Sequence, residues 1–451
     1  MYYNTIMRKI KQPSVAGTFY SSNPEDLKNQ IESFAKDNRN IYEIPARAVI
    51  VPHAGLIYSG RLAFEGINQL DKNIKNLFVI APFHRVPFEG SVITSFDEWL
   101  TPLGGIEINQ DINKELNENF GLEYNDNAFL PEHSVEIQLP IIQSVFKDIK
   151  IVPILVGREN PVNIQKVIKY YYNNSENGFV ISSDLSHFLK DNEAKKLDDM
   201  TAQMIESGLC DNFKYEQACG AVGILGLVNF AQENDFSLIR IDMTNSSSVT
   251  GDKSSVVGYG CWFLYEGQKN EFLKKYYSEF ILKLCRLSIN SKFDKNEIEV
   301  KFPYVFYEPG ASFVTLEKNN MLRGCIGSII AQRSLIEDLI INSQNAAFRD
   351  PRFKPVEKDE VSELDIAVSL LSTPKSMKFD SEQDLLDKIV PFKDGIIIRD
   401  GNYQAVYLPS VWEQLPDKKE FLNSLKVKAG LPRNYFSETF EAYRFETVYI
   451  K

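Results

Sequence analysis

The sequence predicts an α/β domain, with a mostly parallel or mixed sheet flanked by helices, followed by a separate α+β domain. The chain of 451 residues is too long for one ordinary domain. Its 43% hydrophobic and 25% charged residues are typical of chains that bury real cores. In the first half, short apolar runs alternate with amphipathic stretches, which indicates parallel strands covered by helices.

Short runs rich in β-branched residues predict the strands of the first domain. These runs are Arg47–Val51, Asn76–Ile80, Lys150–Leu155, Gly178–Ser182 and, at the end of the domain, Ser254–Leu264. Apolar residues at helical spacing predict helices over Pro24–Phe34 and Val162–Tyr172.

A polar, charged segment, Tyr265–Lys275, marks the boundary near residue 268. The sequence therefore predicts domains over residues 1–268 and 269–451. Apolar spacing predicts that the second domain starts with a helix over Phe272–Ile289. Its predicted strands are Ala311–Leu316, Leu364–Leu371, Gly395–Arg399 and Gln404–Leu408.

Charge and cysteine content narrow the functional classes. The net charge is −11 and there is no basic tract, so we expect no nucleic-acid partner. The five cysteines form no CxxC pair, which argues against a zinc ribbon and fits free thiols in a reducing compartment. The N-terminal segment has no signal-peptide apolar region, and no stretch is apolar enough to span a bilayer. We expect a cytoplasmic protein with no membrane partner.

The chain has four histidines, and all of them lie in the first domain. His53 in IVPHAG, His84 in IAPFHR and His187 in SSDLSH each follow a predicted strand. His133 lies in PEHSVEIQLP, which is typical of a loop that leads into a helix. A single histidine at a strand end is usually a structural residue, but three at the edge where α/β proteins bind ligands predict a shared cleft.

Imidazole nitrogens at one cleft predict a metal site, because neutral histidine binds divalent iron, zinc and copper. We take His53, His84 and His187 as candidate ligands of a divalent metal, with Fe(II) first and copper or zinc as alternatives. Asp184 precedes His187 by three residues and could orient that ring or bind the metal itself. Other carboxylates near the histidines in sequence are Glu132, Glu136 and Asp252.

Several stretches of the first half together resemble the Memo family, which is related in fold to the class III extradiol (LigB-type) ring-cleaving dioxygenases. They are VAGTFY (Val15–Tyr20), PHAGLIYSG (Pro52–Gly60), APFHR (Ala81–Arg85), TPLG (Thr101–Gly104), EHSVEIQLP (Glu132–Pro140), SSDLSH (Ser182–His187), ACG (Ala218–Gly220) and SSVVGYG (Ser254–Gly260). The resemblance spans about residues 8–266.

In the dioxygenase relatives, two strand-end histidines and a glutamate hold Fe(II), and further histidines act in acid–base steps. The resemblance thus implies His53 and His84 as ligands and His133 and His187 as catalytic groups, with Asp184 beside them. Memo relatives can offer a cysteine as the third ligand where this chain has Ser248. Serine is a poor ligand, so the metal ion would be lost or held weakly, or Asp184, Asp252 or water would complete its coordination.

The second half resembles the AMMECR-type domain over about residues 272–451. The matching stretches are LRGCIG (Leu322–Gly327), NAAFRDPRFKP (Asn345–Pro355), LDIAVSLLSTP (Leu364–Pro374), DGIII (Asp394–Ile398), YLPSVW (Tyr407–Trp412), FLNSLKVKAGL (Phe421–Leu431) and RFETVYI (Arg444–Ile450). This resemblance implies a fold more than an activity.

Cys325 is the candidate catalytic residue of the second domain. Arg323 nearby would lower the pKa of its thiol and make it reactive. Alternatively, RGCIG is a tight turn with a buried small residue, since no histidine exists in this domain to act as a base. Asp350, Arg352 and Trp412 either line a polar cleft with Cys325 or form a fold-holding ion pair and a core aromatic.

Three functions are consistent with these features. The first is a metal-dependent, non-haem iron or copper oxidoreductase that acts on a small molecule, for example an aromatic one. The second is a non-catalytic module that binds a ligand or peptide. The third is a maturation partner of a radical SAM protein, because the two resemblances together match the AmmeMemoRadiSam set. That partner would be a separate protein, since this chain lacks CxxxCxxC.

Overall fold

The computed structural model describes residues 8–37, 42, 44–85, 88–294 and 302–451. The first seven residues of the N-terminal segment therefore lie outside the described part. The chain divides into two compact units, Met1–Gln268 and Lys269–Lys451. Among the described residues, no helix combines the length and the apolar character that crossing a bilayer requires.

The first unit contains strands β1 to β12 and helices α1 to α9. The strands are β1 Ile10–Lys11, β2 Ala48–Val51, β3 Asn76–Pro82, β4 Ser91–Ile93, β5 Glu98–Thr101, β6 Gly104–Ile108, β7 Glu123–Tyr124, β8 Lys150–Val156, β9 Asn177–Ser182, β10 His187–Leu189, β11 Ser237–Asn245 and β12 Val256–Tyr265. The helices are α1 Pro24–Lys36, α2 Leu56–Gln69, α3 Gln110–Phe120, α4 Asp126–Phe129, α5 Leu139–Val145, α6 Pro161–Tyr171, α7 Asp191–Ser207, α8 Ala221–Glu233 and α9 Ser247–Thr250.

The strands of the first unit form one mixed, mostly parallel sheet, as the sequence predicts. Its central strands, in the order β6-β8-β3-β9-β2, are parallel to their neighbours, and β12 pairs with β2 in the antiparallel sense. Nearly every residue of β2, β3, β8 and β9 is buried, which explains their continuous apolar runs. Because β2 and β3 flank β9 in parallel, the carboxyl ends of all three meet at one edge.

Phe188 is an unusual residue at the margin of this sheet. Its φ is 59°, in the left-handed region that a bulky side chain rarely adopts. It lies at an irregularity in the β10–β12 pairing, and its ring is 77% exposed. The backbone strain there is therefore not offset by burial of the side chain.

We expect Phe188→Gly to be more stable than Phe188→Ala by about 0.5–1 kcal/mol, because glycine alone adopts this φ without a Cβ clash. The alanine variant is the matched control, since it also removes the exposed ring but keeps the strain. Urea unfolding of both variants measures the difference. Equal stability of the two would show that the left-handed conformation costs nothing here.

The second unit contains strands β13 to β20 and helices α10 to α13. The strands are β13 Ala311–Lys318, β14 Met321–Gly327, β15 Asp365–Leu371, β16 Lys375–Ser376, β17 Gly395–Asp400, β18 Tyr403–Tyr407, β19 Glu441–Phe445 and β20 Thr447–Ile450. The helices are α10 Lys269–Asp294, α11 Leu335–Phe348, α12 Glu382–Lys388 and α13 Lys418–Lys428.

Two antiparallel sheets, β14-β13-β15-β20 and β16-β19-β17-β18, build the second unit, so the α+β prediction is confirmed. Helices α10 and α11 pack on the first sheet. Trp412 is fully buried in a core cluster, where its ring stacks on Phe421 at 3.6 Å. Trp412 is therefore a core aromatic and not the wall of a cleft.

Candidate metal site

Three imidazole rings converge beyond the carboxyl ends of β2 and β3. His53 follows β2, His84 follows β3, and His133 lies in the loop before the 3-10 turn Glu136–Gln138. Their ring centroids are 4.7–5.4 Å apart. One nitrogen from each ring lies within 4.8 Å of the others, so the three rings form a cluster that could bind a metal.

The loop that carries His133 is remote in sequence from β2, β3 and β9. It reaches the cluster because hydrogen bonds join it to the ends of these three strands. Ser134 Oγ donates to the carbonyl of Pro82, at the end of β3. Gln138 Nε2 donates to the carbonyl of Pro52, which follows β2. Ser182 Oγ, at the end of β9, donates to the carbonyl of Ser134. These bonds hold the His133 loop across the sheet edge.

Glu132 orients two of the three rings. Its carboxylate is fully buried and lies 3.0 Å from His84 Nδ1 and 3.1 Å from His133 Nδ1. It also accepts from the backbone N–H groups of His84, His133 and Ser134. Burial alone would raise the pKa of Glu132, but the bonds from His133 and His84 hold it well below its usual range. The group is therefore a carboxylate, which can only accept hydrogen bonds.

The contacts of Glu132 determine the tautomers of His84 and His133. Each Nδ1 faces an acceptor, so in the neutral form of each ring Nδ1 carries the proton and Nε2 keeps its lone pair. A carboxylate that holds the Nδ1–H of a histidine is the usual support of a metal-binding ring.

The neighbours of His53 lead to the same tautomer. Its Nδ1 lies 3.0 Å from Ser182 Oγ. That hydroxyl gives its one proton to the carbonyl of Ser134 and accepts from Gln138 Nε2, so it can only accept from His53. Burial, with the neighbouring histidines, lowers the pKa of His53 well below its ordinary value, so the ring is neutral. In the neutral form, all three rings thus offer Nε2 as the metal-binding atom.

A neutral three-imidazole set fits a divalent transition metal. Such ions bind histidine nitrogens at about 2.0–2.1 Å and prefer unprotonated imidazole. The ligand atoms all lie within 4.8 Å of one another, so small ring rotations would suffice to bring them onto one ion. Hard cations such as Mg²⁺ prefer oxygen ligands, which this set does not supply.

His187 lies beside the cluster and is not one of the three grouped rings. It begins β10, and its ring is close enough to His84 and His53 for their charges to act on one another. Burial lowers the pKa of His187, opposed by a hydrogen bond to the carbonyl of Leu185. The assignment of His187 as a metal ligand stays a sequence-based prediction, and His133 takes the third place in the observed cluster.

Asp184 supports the backbone of the site. Its Oδ1 accepts from the backbone N–H of His53 at 2.7 Å. Burial raises the pKa of Asp184 to about 7, although bonds from the N–H groups of His53 and Ala54 oppose the rise. These contacts of Asp184 are with the turn that carries His53.

Cys219, which was not predicted from sequence as a site residue, reaches the cluster from just before α8. Its Sγ lies 3.2 Å from His53 Nε2 and accepts from the backbone N–H of Asp184 at 3.2 Å. Burial, together with Asp184, raises the pKa of the Cys219 thiol, so its S–H can donate to the lone pair of His53 Nε2. The signal in sequence was a cysteine placed just before a helix that opens with glycine.

The side chains of Ser248 and Asp252, which the sequence places near the third ligand position, form hydrogen bonds within their own turns. Ser248 Oγ donates to the carbonyl of Asn245 at 2.8 Å. Asp252 is exposed, and its Oδ1 accepts from the backbone and hydroxyl of Ser254. Neither contact directs these groups toward the histidines.

The candidate residues of the second unit form a structural network. RGCIG lies inside β14, paired with β13, so the prediction of a tight turn is wrong. Arg323 pairs with Glu360 at 2.8 Å and is committed to that carboxylate. Asp350 accepts from the backbone N–H of Cys325 and pairs with Arg352 at 2.7 Å. Of the two alternatives, the ion pair that holds the fold is the one observed, and a catalytic role of Cys325 stays a prediction.

The comparisons with known proteins agree with this architecture. The model of the Memo-like protein family matches residues 11–263, and the AMMECR1 family model matches residues 282–450. The chain belongs to the Memo-like family. It is a Memo-like domain fused to an AMMECR1 domain.

Archaeal and bacterial relatives cover the Memo-like domain at nearly full length. A MEMO1 family protein of Thermoplasma volcanium is 32% identical over 260 residues, which are 55% of this chain and 96% of that protein. A MEMO1 family protein of Aquifex aeolicus is 29% identical over 262 residues, which are 56% of this chain and 97% of that protein.

The chain is also similar to a solved structure, an uncharacterized protein from Pyrococcus horikoshii. The two are 33% identical, the match covers 38% of this chain and 89% of that chain, and the TM-score is 0.35.

We expect Glu132→Gln to lower the affinity for divalent metal by about 10- to 100-fold. Glutamine has the same shape, but it lacks the charge that both Nδ1 atoms face, and its NH₂ group, placed at Oε2, would oppose the backbone N–H of His84. Isothermal titration with Co²⁺ measures the change, and exposed Glu123→Gln is the matched control. Unchanged affinity in a folded Glu132→Gln variant would contradict the role given to this carboxylate.

Proposed function

We propose that the Memo-like domain is a metal-dependent oxidoreductase of the non-haem iron or copper type, which acts on a small molecule. The observation that carries the proposal is the cluster of the three rings of His53, His84 and His133, in which each Nδ1 has a hydrogen-bond partner and each Nε2 is left to bind a metal. A bound iron or copper ion would supply redox chemistry with dioxygen or another oxidant.

The residues of the chain would have separate roles in this reaction. His53, His84 and His133 would hold the ion, and Glu132 would keep two of their rings in the binding tautomer. His187, whose pKa burial lowers, would accept or donate a proton at a bound substrate. Asp184 would fix the turn that carries His53.

Aromatic side chains next to the histidines favour a flat, partly apolar substrate. Phe19 packs on the His133 ring at a centroid distance of 4.6 Å. Phe188 lies 5.7 Å from the His187 ring and is largely exposed. Rings in this position can stack on an aromatic molecule that enters from solvent. These contacts support, among small molecules, an aromatic substrate class.

The test combines metal content with turnover. The full chain is purified anaerobically, its metal is measured by mass spectrometry, and oxygen uptake is followed with a panel of catechols and simple phenols. We expect uptake by the iron- or copper-loaded protein and none by a His53→Ala/His84→Ala variant. Ser248→Ala is the control, since its hydroxyl bonds only within its own turn among the contacts described.

Two outcomes would overturn the proposal. Unchanged metal content in the double histidine variant would place the metal elsewhere. Absence of turnover across the panel, with phenol binding that survives a chelator, would instead support the non-catalytic binding module. A radical SAM partner stays a separate prediction, which co-purification from the native cell would test.

A further inference from the structure

The segment of residues 184–187 ends in His187 and is held by β12. The backbone N–H of Leu185 donates to the carbonyl of Gly258 at 2.8 Å, and the N–H of Gly258 donates to the carbonyl of Ser186 at the same distance. The segment follows β9 and leads into β10, which begins at His187. The place of the His187 ring therefore depends on how firmly this short segment is held.

Asp198, on α7, adds a third bond to the segment. The residue is buried, and its Oδ1 accepts from the backbone N–H of Ser186 at 3.0 Å. Ser186 directly precedes His187 in the chain. A shift of the Ser186 peptide group would therefore move the backbone that carries the imidazole ring.

Gly258 leaves the space that the Asp198 carboxylate occupies. A Cβ at position 258 would lie 2.0 Å from Asp198 Oδ2, a distance that no side chain allows. Glycine thus lets β12 bond the segment and pack against the carboxylate at the same point. The 184–187 segment, α7 and β12 meet there.

The charge of Asp198 is directed at the Ser186 peptide. In the part of the chain that the structure describes, no basic residue pairs with this carboxylate, and burial raises its pKa to about 6, although hydrogen bonds from Ser186 oppose the rise. At neutral pH the group is mostly ionised. A hydrogen bond to an ionised acceptor is about twice as strong as one between neutral groups, so the carboxylate holds this N–H more firmly than a neutral amide would.

We propose that Asp198 is a positioning residue of the Memo-like domain, which sets the place of the His187 ring by holding the peptide group of Ser186. His187 is the proton-transfer group of the function proposed above, and the role of Asp198 rests on that function. A displacement of about 1 Å at a reacting group can lower a rate by about 100-fold. Loss of Asp198 should therefore affect turnover and leave metal affinity nearly unchanged.

The experiment follows the histidine rings of the metal-free full chain by NMR, with the histidines labelled with ¹³C at Cε1. The chain has four histidines, and a His187→Gln variant identifies the resonance of His187. The variants are Asp198→Ala, Asp198→Asn and Gly258→Ala, in which the added methyl group displaces the carboxylate. The control is Asp199→Ala, which removes the same charge from the neighbouring, exposed position of α7.

We expect Asp198→Ala and Gly258→Ala to shift or broaden the resonance of His187 and to leave those of His53 and His133 in place. Asp198→Asn keeps a weaker acceptor and should give a smaller change, and Asp199→Ala should give none. An unchanged His187 resonance in the alanine variants would overturn the proposal. Equal changes at all three rings in a folded variant would also overturn it, by showing a general loss of structure. If Asp198→Ala does not fold, Asp198→Asn and Gly258→Ala decide.

Turnover separates this role from the proposed function. In the metal-loaded protein, Asp198→Ala should lower kcat by about 10- to 100-fold, with metal affinity changed by less than about threefold. A loss of metal affinity as large as the loss of kcat would contradict a role that acts through His187. Absence of turnover in wild type would overturn the proposed function, while the NMR comparison would still decide whether Asp198 positions the ring.

Discussion

Replacing Glu136 with glutamine is expected to lower the free energy of unfolding of the Memo-like domain by about 3–5 kcal/mol. Glu136 and Lys11 form an ion pair of 2.9 Å in which both side chains are fully buried. The carboxylate also accepts from the backbone N–H groups of Ser14 and Val15 and from the hydroxyl of Tyr20. A glutamine NH₂ group would face one of these donors and leave the Lys11 ammonium buried without its counter-charge.

Hydrogen exchange at the amides of β3 and β9 measures this change, since core amides exchange through global unfolding of their own domain. The control is Glu107→Gln, which removes an exposed ion pair with Arg8 and is expected to cost less than about 1 kcal/mol. The double variant Lys11→Met/Glu136→Gln should cost less than the sum of the single changes. A cost for Glu136→Gln as small as that of the control would show that the buried pair contributes no stability.

Replacing His133 with alanine is expected to lower the affinity for divalent metal by at least about 100-fold, whereas His187→Ala should change it by less than about threefold. The reason is geometric: the nitrogen of His133 is grouped with those of His53 and His84, and His187 is not in that group among the described residues. Competition with a metal-binding dye measures both affinities. A larger loss of metal affinity in His187→Ala than in His133→Ala would restore His187 as the third nitrogen ligand.

The sheet and the edge that carries His53 and His84 could be predicted from sequence because the patterns that mark them are local. The continuous apolar runs of β2, β3 and β9 mark buried parallel strands, and the positions of His53 and His84 follow from where those strands end. The helical spacing after Lys269 likewise marks α10. Each of these features depends only on residues within one element.

The arrangement of the site could not be predicted because it depends on contacts between remote segments. His133 reaches the cluster through Ser134, Gln138 and Ser182, which join its loop to three strand ends. Glu132 holds His84 across 48 residues of sequence. The wrong prediction of a turn at RGCIG has the same cause. Its glycines are typical of a turn but lie in strand β14, where Gly324 is close to the carbonyl of Ala346, a residue remote in sequence.

The central claim is that the Nε2 atoms of His53, His84 and His133 bind one divalent metal ion. Anomalous X-ray diffraction from crystals of the full chain soaked in Co²⁺ or Zn²⁺ tests it most directly. We expect one strong anomalous peak in the Memo-like domain, about 2.0–2.1 Å from each of the three Nε2 atoms. A peak bound through other residues, or none at this cluster in crystals that bind metal elsewhere, would contradict it.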